Sequence, residues 1–175
     1  MAISENGWPV LSSGSAHLYR WAIPTKQGTV YLLMRSGSVG FVLAFWVSLF
    51  AARIQPVFGK VLDDWGYAYR EIRSSTGWSN HASATAVDLN ALQHPLGKVG
   101  TMVKASLVRL LLKTRMRGRI KWGGDYQNRK DEMHFEIYPG IQMPECEALA
   151  KTLLKTKRGK AIIAANPTQM KVINS

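Results

Sequence analysis

From Val39 to Phe50 the chain carries no charge and a single hydroxyl, Ser48, with Arg35 and Arg53 on either side. A helix that is apolar on every side has to be buried on every side. The run is shorter than the roughly 20 residues needed to span a bilayer, so no stable membrane insertion is expected. It is predicted as a buried helix from about Ser38 to Arg53, ended by Pro56. The rest of the chain must wrap that helix. With 175 residues it can do so as one domain, 1–175, with no room for a second substantial one. If translation began at Met34, Arg35 and the apolar run would resemble a signal peptide. From Met1 there is neither a basic start nor an early apolar core, so no ordinary export signal is expected.

The remaining pattern predicts an α+β fold, a small antiparallel sheet with packed helices. Residues 1–28, rich in Gly, Ser, Pro and Trp, read as an irregular lead-in. Thr29 to Met34 and Tyr69 to Arg73 read as short strands. In Thr85 to Asn90, Val87 and Leu89 alternate with Asp88, so the apolar pair faces a core and the carboxylate does not. Further on, Met133, Phe135 and Ile137 oppose His134, Glu136 and Tyr138 with the same period of two, until Pro139-Gly140 stops the strand. The spacing of Met102, Val103, Leu107, Leu110 and Leu111 predicts a helix from Gly100 to Arg117, closed by Gly118. Pro144 opens another, to about Thr156, with Ala148, Leu153 and Leu154 on one side. The basic stretch from about 157 to 175 reads either as a short helix or as a disordered tail.

The chemistry sits in two segments, Ser79-Asn-His-Ala-Ser-Ala-Thr-Ala-Val-Asp-Leu-Asn90 and Asp131-Glu-Met-His-Phe-Glu136. Adjacent strands can present Asp88 and His134 to one cleft, with His81 on the preceding loop. Two imidazoles and a carboxylate suit Zn²⁺ and leave a fourth position open, as a catalytic metal requires. Other divalent ions accept the same donors. Asp131, at a loop-to-strand junction, is placed to reach the attacking water without ligating, and is the candidate general base. Ser79, Asn80 and Asn90 read as turn residues, His94 as a loop residue, and His17 as structural or exposed.

Ser-x-His-x-x-x-x-Ala-x-Asp, then Trp122-Gly-Gly-Asp125, then Asp-x-Met-His-Phe-Glu, resembles the zinc peptidases of the D-alanyl-D-alanine carboxypeptidase superfamily, above all the phage endolysin peptidases that cut peptidoglycan peptides. The resemblance runs from about Asp63 to Tyr138 and implies His81, Asp88 and His134 as ligands of one Zn²⁺ and Asp131 as base. It also implies an arginine, before the first histidine, that orients the substrate or stabilises the oxyanion. Arg70 and Arg73 are both in range, and Arg73 is favoured. Ser79, Trp122 and Asp125 are candidates to line the substrate cleft, and Glu136 and Asp125 to hold the ligand histidines from outside. One position departs from the family, Ala84, where a glycine is usual; a positive φ there would cost about 1 kcal/mol.

The net charge of +12 and pI near 10.1 favour a polyanionic partner. Anionic cell-wall polymers fit as well as nucleic acid, for which no binding motif is present. The lone Cys146 can form no intramolecular disulfide. The leading expectation is thus a monomeric zinc peptidase acting on peptidoglycan at the L-Ala-D-Glu bond or one involving D-Ala, made in a host cytoplasm and released through a phage-encoded membrane pore. The alternatives are a non-catalytic wall-binding relative and a basic nucleic-acid-binding protein.

Overall fold

A computed structural model describes residues 2–72 and 77–174. The chain is a compact α+β fold built around the apolar helix. That helix, α1 (Gly37–Arg53), is buried from Gly37 to Ala51. At its start Gly40 lies against the preceding strand, where a Cβ would stand 1.7 Å from the Arg35 carbonyl oxygen and 2.4 Å from Trp21 Nε1. Only glycine allows that approach, which also lets Trp21 Nε1 donate to the Arg35 carbonyl at 3.0 Å. Arg53 closes the helix two residues before Gln55-Pro56.

One side of α1 is covered by a hairpin of β1 (Leu18–Thr25) and β2 (Gly28–Arg35), antiparallel in register from Leu18↔Arg35 to Thr25↔Gly28. Residues 18–25 therefore do not belong to an irregular lead-in. Trp21 and Ile23 are fully buried at alternate positions, a period-two signal that the surrounding Gly, Ser and Pro obscure.

The second sheet carries the chemistry. Its strands are β3 (Ala86–Asp88), β4 (Ile120–Trp122) and β5 (His134–Ile137), ordered β3-β5-β4 and antiparallel. Val87, Phe135 and Ile137 point into the core as the alternation requires. Phe135 is the link to α1, with ring centroids 5.1 Å from Trp46 and 5.5 Å from Phe50. Each such buried ring contributes about 1.5–3 kcal/mol of transfer free energy. The strand that presents His134 is therefore fixed on its reverse face by the central helix.

Three sequence expectations are corrected around the sheets. The helix α2 (Ala105–Thr114) is shorter than Gly100–Arg117, because the backbone N–H groups of Gly100 and Met102 are taken by the Glu132 carboxylate. Its core side is Val108, Leu111 and Leu112, while Val103 and Leu110 are exposed. Gly118, with φ +69, follows the helix as expected. Tyr69 to Ile72 form no strand; Glu71 makes an isolated bridge to Trp78, and Arg73 lies outside the described residues.

The C-terminal segment is α3 (Met143–Leu154), α4 (Lys157–Ala165) and α5 (Gln169–Asn174). Gln142 and Glu145 form a capping box on α3, whose buried side is Cys146, Leu149, Ala150 and Leu153; Ala148 is exposed. The basic stretch is thus two docked helices, neither a single short helix nor a disordered tail. Ile162 and Ile173 are buried, and Asn166 pairs with both the N–H (2.9 Å) and the carbonyl (2.7 Å) of Ala22 on β1. Its lysines and arginines obscure an apolar side only one residue per turn wide. Among the described residues no helix is long and apolar enough to cross a membrane.

Candidate metal centre

The lead-in is a strap on the loop that carries His81. Asn6 N–H donates to Asn80 Oδ1 at 2.9 Å, Asn6 Nδ2 to Thr85 Oγ1 at 2.8 Å, and Ser4 Oγ to Ser83 Oγ at 2.8 Å. The loop then turns into β3 through Ala84, whose φ of +57 is left-handed. The methyl group there is strained by about 1–2 kcal/mol. Ala84 N–H closes the turn on the His81 carbonyl at 3.0 Å, and the Ala84 carbonyl accepts from Arg35 N–H at 3.0 Å.

β3 and β5 pair so that Asp88 stands directly opposite His134. With His81 they form a buried triad: His81 Nε2 lies 3.2 Å from Asp88 Oδ1 and 3.2 Å from His134 Nδ1, and His134 Nδ1 lies 2.8 Å from Asp88 Oδ1. Three donors around Zn²⁺ at about 2.0–2.1 Å would sit roughly 3.3 Å apart, so this triangle fits the ion with little adjustment. The outer nitrogens are spoken for. His81 Nδ1 lies 2.5 Å from the Gly66 carbonyl, which leaves Nε2 to face the site. His134 Nε2 lies 3.6 Å from Glu136 Oε2, which leaves Nδ1 to do so. Both contacts orient a ring with its other nitrogen toward the site, the one to Gly66 as a hydrogen bond and the one to Glu136 as a longer ion-pair contact.

Glu136 is itself a buried junction. It accepts from Tyr126 Oη at 3.0 Å and from Asn80 Nδ2, and Lys121 Nζ lies 3.7 Å away. Burial alone would raise its pKa, but His134 and Tyr126 outweigh that and hold it below the usual carboxylate value. Burial likewise disfavours charge on Asp88 and on His134. At Asp88 the charge of His81, followed by the His134 hydrogen bond, overrides it and keeps the carboxylate ionised, while the hydrogen bond to Asp88, followed by Glu136, raises His134 to about 10.

Asp131 stands beside this triad. Its Oδ1 is buried with no hydrogen-bond partner, which makes it a polar atom awaiting a ligand. Burial pushes its carboxyl up to about 6, with Asp88 adding to the rise and His134, His81 and Arg70 opposing it. The turn is held by Asp131 N–H donating to the Gly123 carbonyl at 3.0 Å and His134 N–H to the Asp131 carbonyl at 3.2 Å. Gly123 packs under it so closely that a Cβ would lie 2.4 Å from the Asp131 carbonyl oxygen and 3.2 Å from His134 Cβ. This is what the first glycine of Trp-Gly-Gly-Asp does.

Arg70 is exposed, with its charge felt at Asp131. Arg73, favoured from sequence, lies outside the described residues. Ser79 serves the turn, its Oγ accepting from His81 N–H at 3.3 Å. Trp122 is buried and stacked on Phe135, donating through Nε1 to the Glu132 carbonyl at 2.9 Å. Asp125 does not reach the histidines; it is exposed and paired with Arg109 at 2.8 Å. Trp122, Asp125, Asn80, Tyr126 and Glu136 all border a cleft of about 1000 Å³. His94 is buried between Thr101 and Gln55 and takes no part.

Sequence reasoning did not single out Tyr126, the Gly66 carbonyl or Glu132. Glu132 lies inside the motif, next to the candidate base. Its carboxylate accepts from Gly100 N–H (2.7 Å), Thr101 Oγ1 (2.5 Å) and Met102 N–H (2.7 Å). Its only sequence signal was a glutamate that the strand alternation left out of both faces.

No curated protein and no solved structure matches the chain. Residues 73–137, the segment that carries all three candidate ligands and the candidate base, match the family model described as D-alanyl-D-alanine carboxypeptidase.

Proposed function

We propose that the protein is a zinc-dependent peptidase that hydrolyses peptide bonds in bacterial peptidoglycan, of the endolysin kind. The observation that carries this reading is the convergence of His81 Nε2, Asp88 Oδ1 and His134 Nδ1 beside the unpartnered Asp131 carboxylate oxygen, within the segment that matches the family model. The three ligands are a donor set for Zn²⁺, which would supply a Lewis acid to polarise the scissile carbonyl and acidify water.

The chain's own residues do the rest. Asp131 takes the proton of the attacking water as its oxygen bonds to the carbonyl carbon. It returns that proton to the leaving nitrogen as the C–N bond breaks, so the base is regenerated. Arg70, and Arg73 from its place in the sequence, supply positive charge for a substrate carboxylate or the developing oxyanion. Glu136 and the Gly66 carbonyl keep the two imidazoles oriented. The protein acts as a monomer, its basic surface favours anionic wall polymers, and it reaches the wall through a membrane pore made by a partner.

The test is mass spectrometry of fragments released from purified peptidoglycan by the zinc-loaded protein, a chelated sample and Asp131→Asn. New amino termini that disappear in both controls are expected, and they name the bond cut. An intact wall alongside protein that still holds one zinc would overturn catalysis and leave a wall-binding role.

A further inference from the structure

The cleft beside the metal centre has a direction. Alternate residues of β5 face one side, so His134, Glu136 and then Tyr138 step away from the triad at about 6.6 Å per pair. Glu136 and Tyr138 both line the cleft, and the Tyr126 ring that overhangs it sits 6.2 Å from the His134 ring. The triad and Asp131 do not themselves line the cleft, which adjoins them through Glu136 and Tyr126, so a substrate chain leaving the metal along this strand would enter the cleft past those two side chains.

The charges along it are of two kinds. Arg109 and Lys121 are already engaged, by Asp125 at 2.8 Å and Glu136 at 3.7 Å. Each also lies over a ring of the cleft, Arg109 over Trp122 and Lys121 over Tyr126. Lys113, from α2, and Arg129, from the loop after Tyr126, also line the cleft and have no ion-pair partner among the described residues. The acidic residues of the lining are Glu5, Asp125 and Glu136, and the last two are those already neutralised. Unspent positive charge in a concave site, with low-dielectric aromatic walls, selects for anions.

Resting on the reading above, we propose that this cleft is the substrate's binding groove beyond the scissile bond, and that Lys113 and Arg129 select a peptide carrying a free carboxylate there over one in which it is amidated. The groove reads the charge of the stem peptide and the metal centre cuts it. Specificity and chemistry then reside on different elements, α2 and the 126–130 loop for the first, β3 and β5 for the second.

The experiment uses two synthetic peptides that differ only in a side-chain carboxylate or carboxamide at a residue next to the cleaved bond. Hydrolysis by the zinc-loaded protein, and binding by calorimetry to zinc-loaded Asp131→Asn, are measured for each. The carboxylate peptide is expected to be favoured about tenfold in KM and in affinity, by an amount that shrinks with salt. That ratio is expected to collapse toward one in the Lys113→Ala/Arg129→Ala double variant. Equal cleavage of both peptides by the wild type would overturn the inference and leave the peptidase reading standing. If neither peptide is cleaved, the peptidase reading fails on its own, and the calorimetric ratio still decides the groove: equal affinities, or a ratio unchanged in the double variant, overturn it.

Discussion

Replacing Gly123 by alanine should separate the position of the base from the integrity of the metal site. The added Cβ would stand 2.4 Å from the Asp131 carbonyl oxygen and 3.0 Å from Asp131 Cβ, where ordinary contact begins at 3.4 Å. The Asp131 turn must therefore move by about 1 Å, and a shift of that size costs on the order of 100-fold in rate. Overpacking costs about 1–3 kcal/mol, and the stiffer unfolded chain returns about 0.4–1, for a net loss near 1–2 kcal/mol. At this chain length that lowers Tm by about 2–8 °C. Of the ligand triad only His134 is pressed, its Cβ standing 3.2 Å from the added Cβ and needing to give by only a few tenths of an ångström, so zinc content should stay close to one per chain. The loss should fall on kcat and not on KM, as when only a transition-state interaction is removed. Gly28→Ala is the control, because Gly28 has φ +126 and nothing within 4 Å, so it strains the β1–β2 turn far from the site. A Gly123→Ala protein with kcat within about threefold of wild type, or one no slower than Gly28→Ala at equal Tm loss, would refute the reasoning.

Glu132→Ala strands the N–H of the buried Met102, and removes the bond to the exposed Gly100, and should cost about 1–3 kcal/mol in urea unfolding. Burial raises the Glu132 pKa, but the bonds from Thr101, Met102 and Gly100 outweigh that and lower it. Its contribution is therefore whole above the unfolded value of about 4.5 and is lost as pH falls through the lower folded value, so wild type and Glu132→Ala should converge in stability in acid. Ala84→Gly should be close to neutral by the same assay. Relief of left-handed strain, about 1–2 kcal/mol, offsets about 0.8 for a buried methyl and about 0.4–1 for the freer unfolded chain. A loss above about 2 kcal/mol would show that the turn is not strained.

The core was legible in the sequence through local pattern, and the three candidate ligands, which the fold brings together, through local pattern together with the family resemblance. A run as apolar as Val39–Phe50 can only be buried, and the period of two in Thr85–Asn90 and Met133–Tyr138 places Asp88 and His134 away from the core side whatever the strands pair with. The unusual Ala84 was visible as well, since its cost follows from one torsion angle. What the sequence did not disclose depends on groups distant along the chain. The charges of the last helices conceal Ile162 and Ile173, and the Gly, Ser and Pro around β1 conceal Trp21 and Ile23. The start of α2 is decided by a glutamate from the candidate base's own turn. No local pattern states that His134 Nδ1 meets Asp88 while Glu136 lies beside Nε2, that the Gly66 carbonyl turns His81, or that the first residues strap the His81 loop in place. Side-chain period is set by backbone geometry within a few residues, whereas tautomer, orientation and the charge left unpaired in a cleft are set by whichever partners the tertiary fold brings within hydrogen-bond reach.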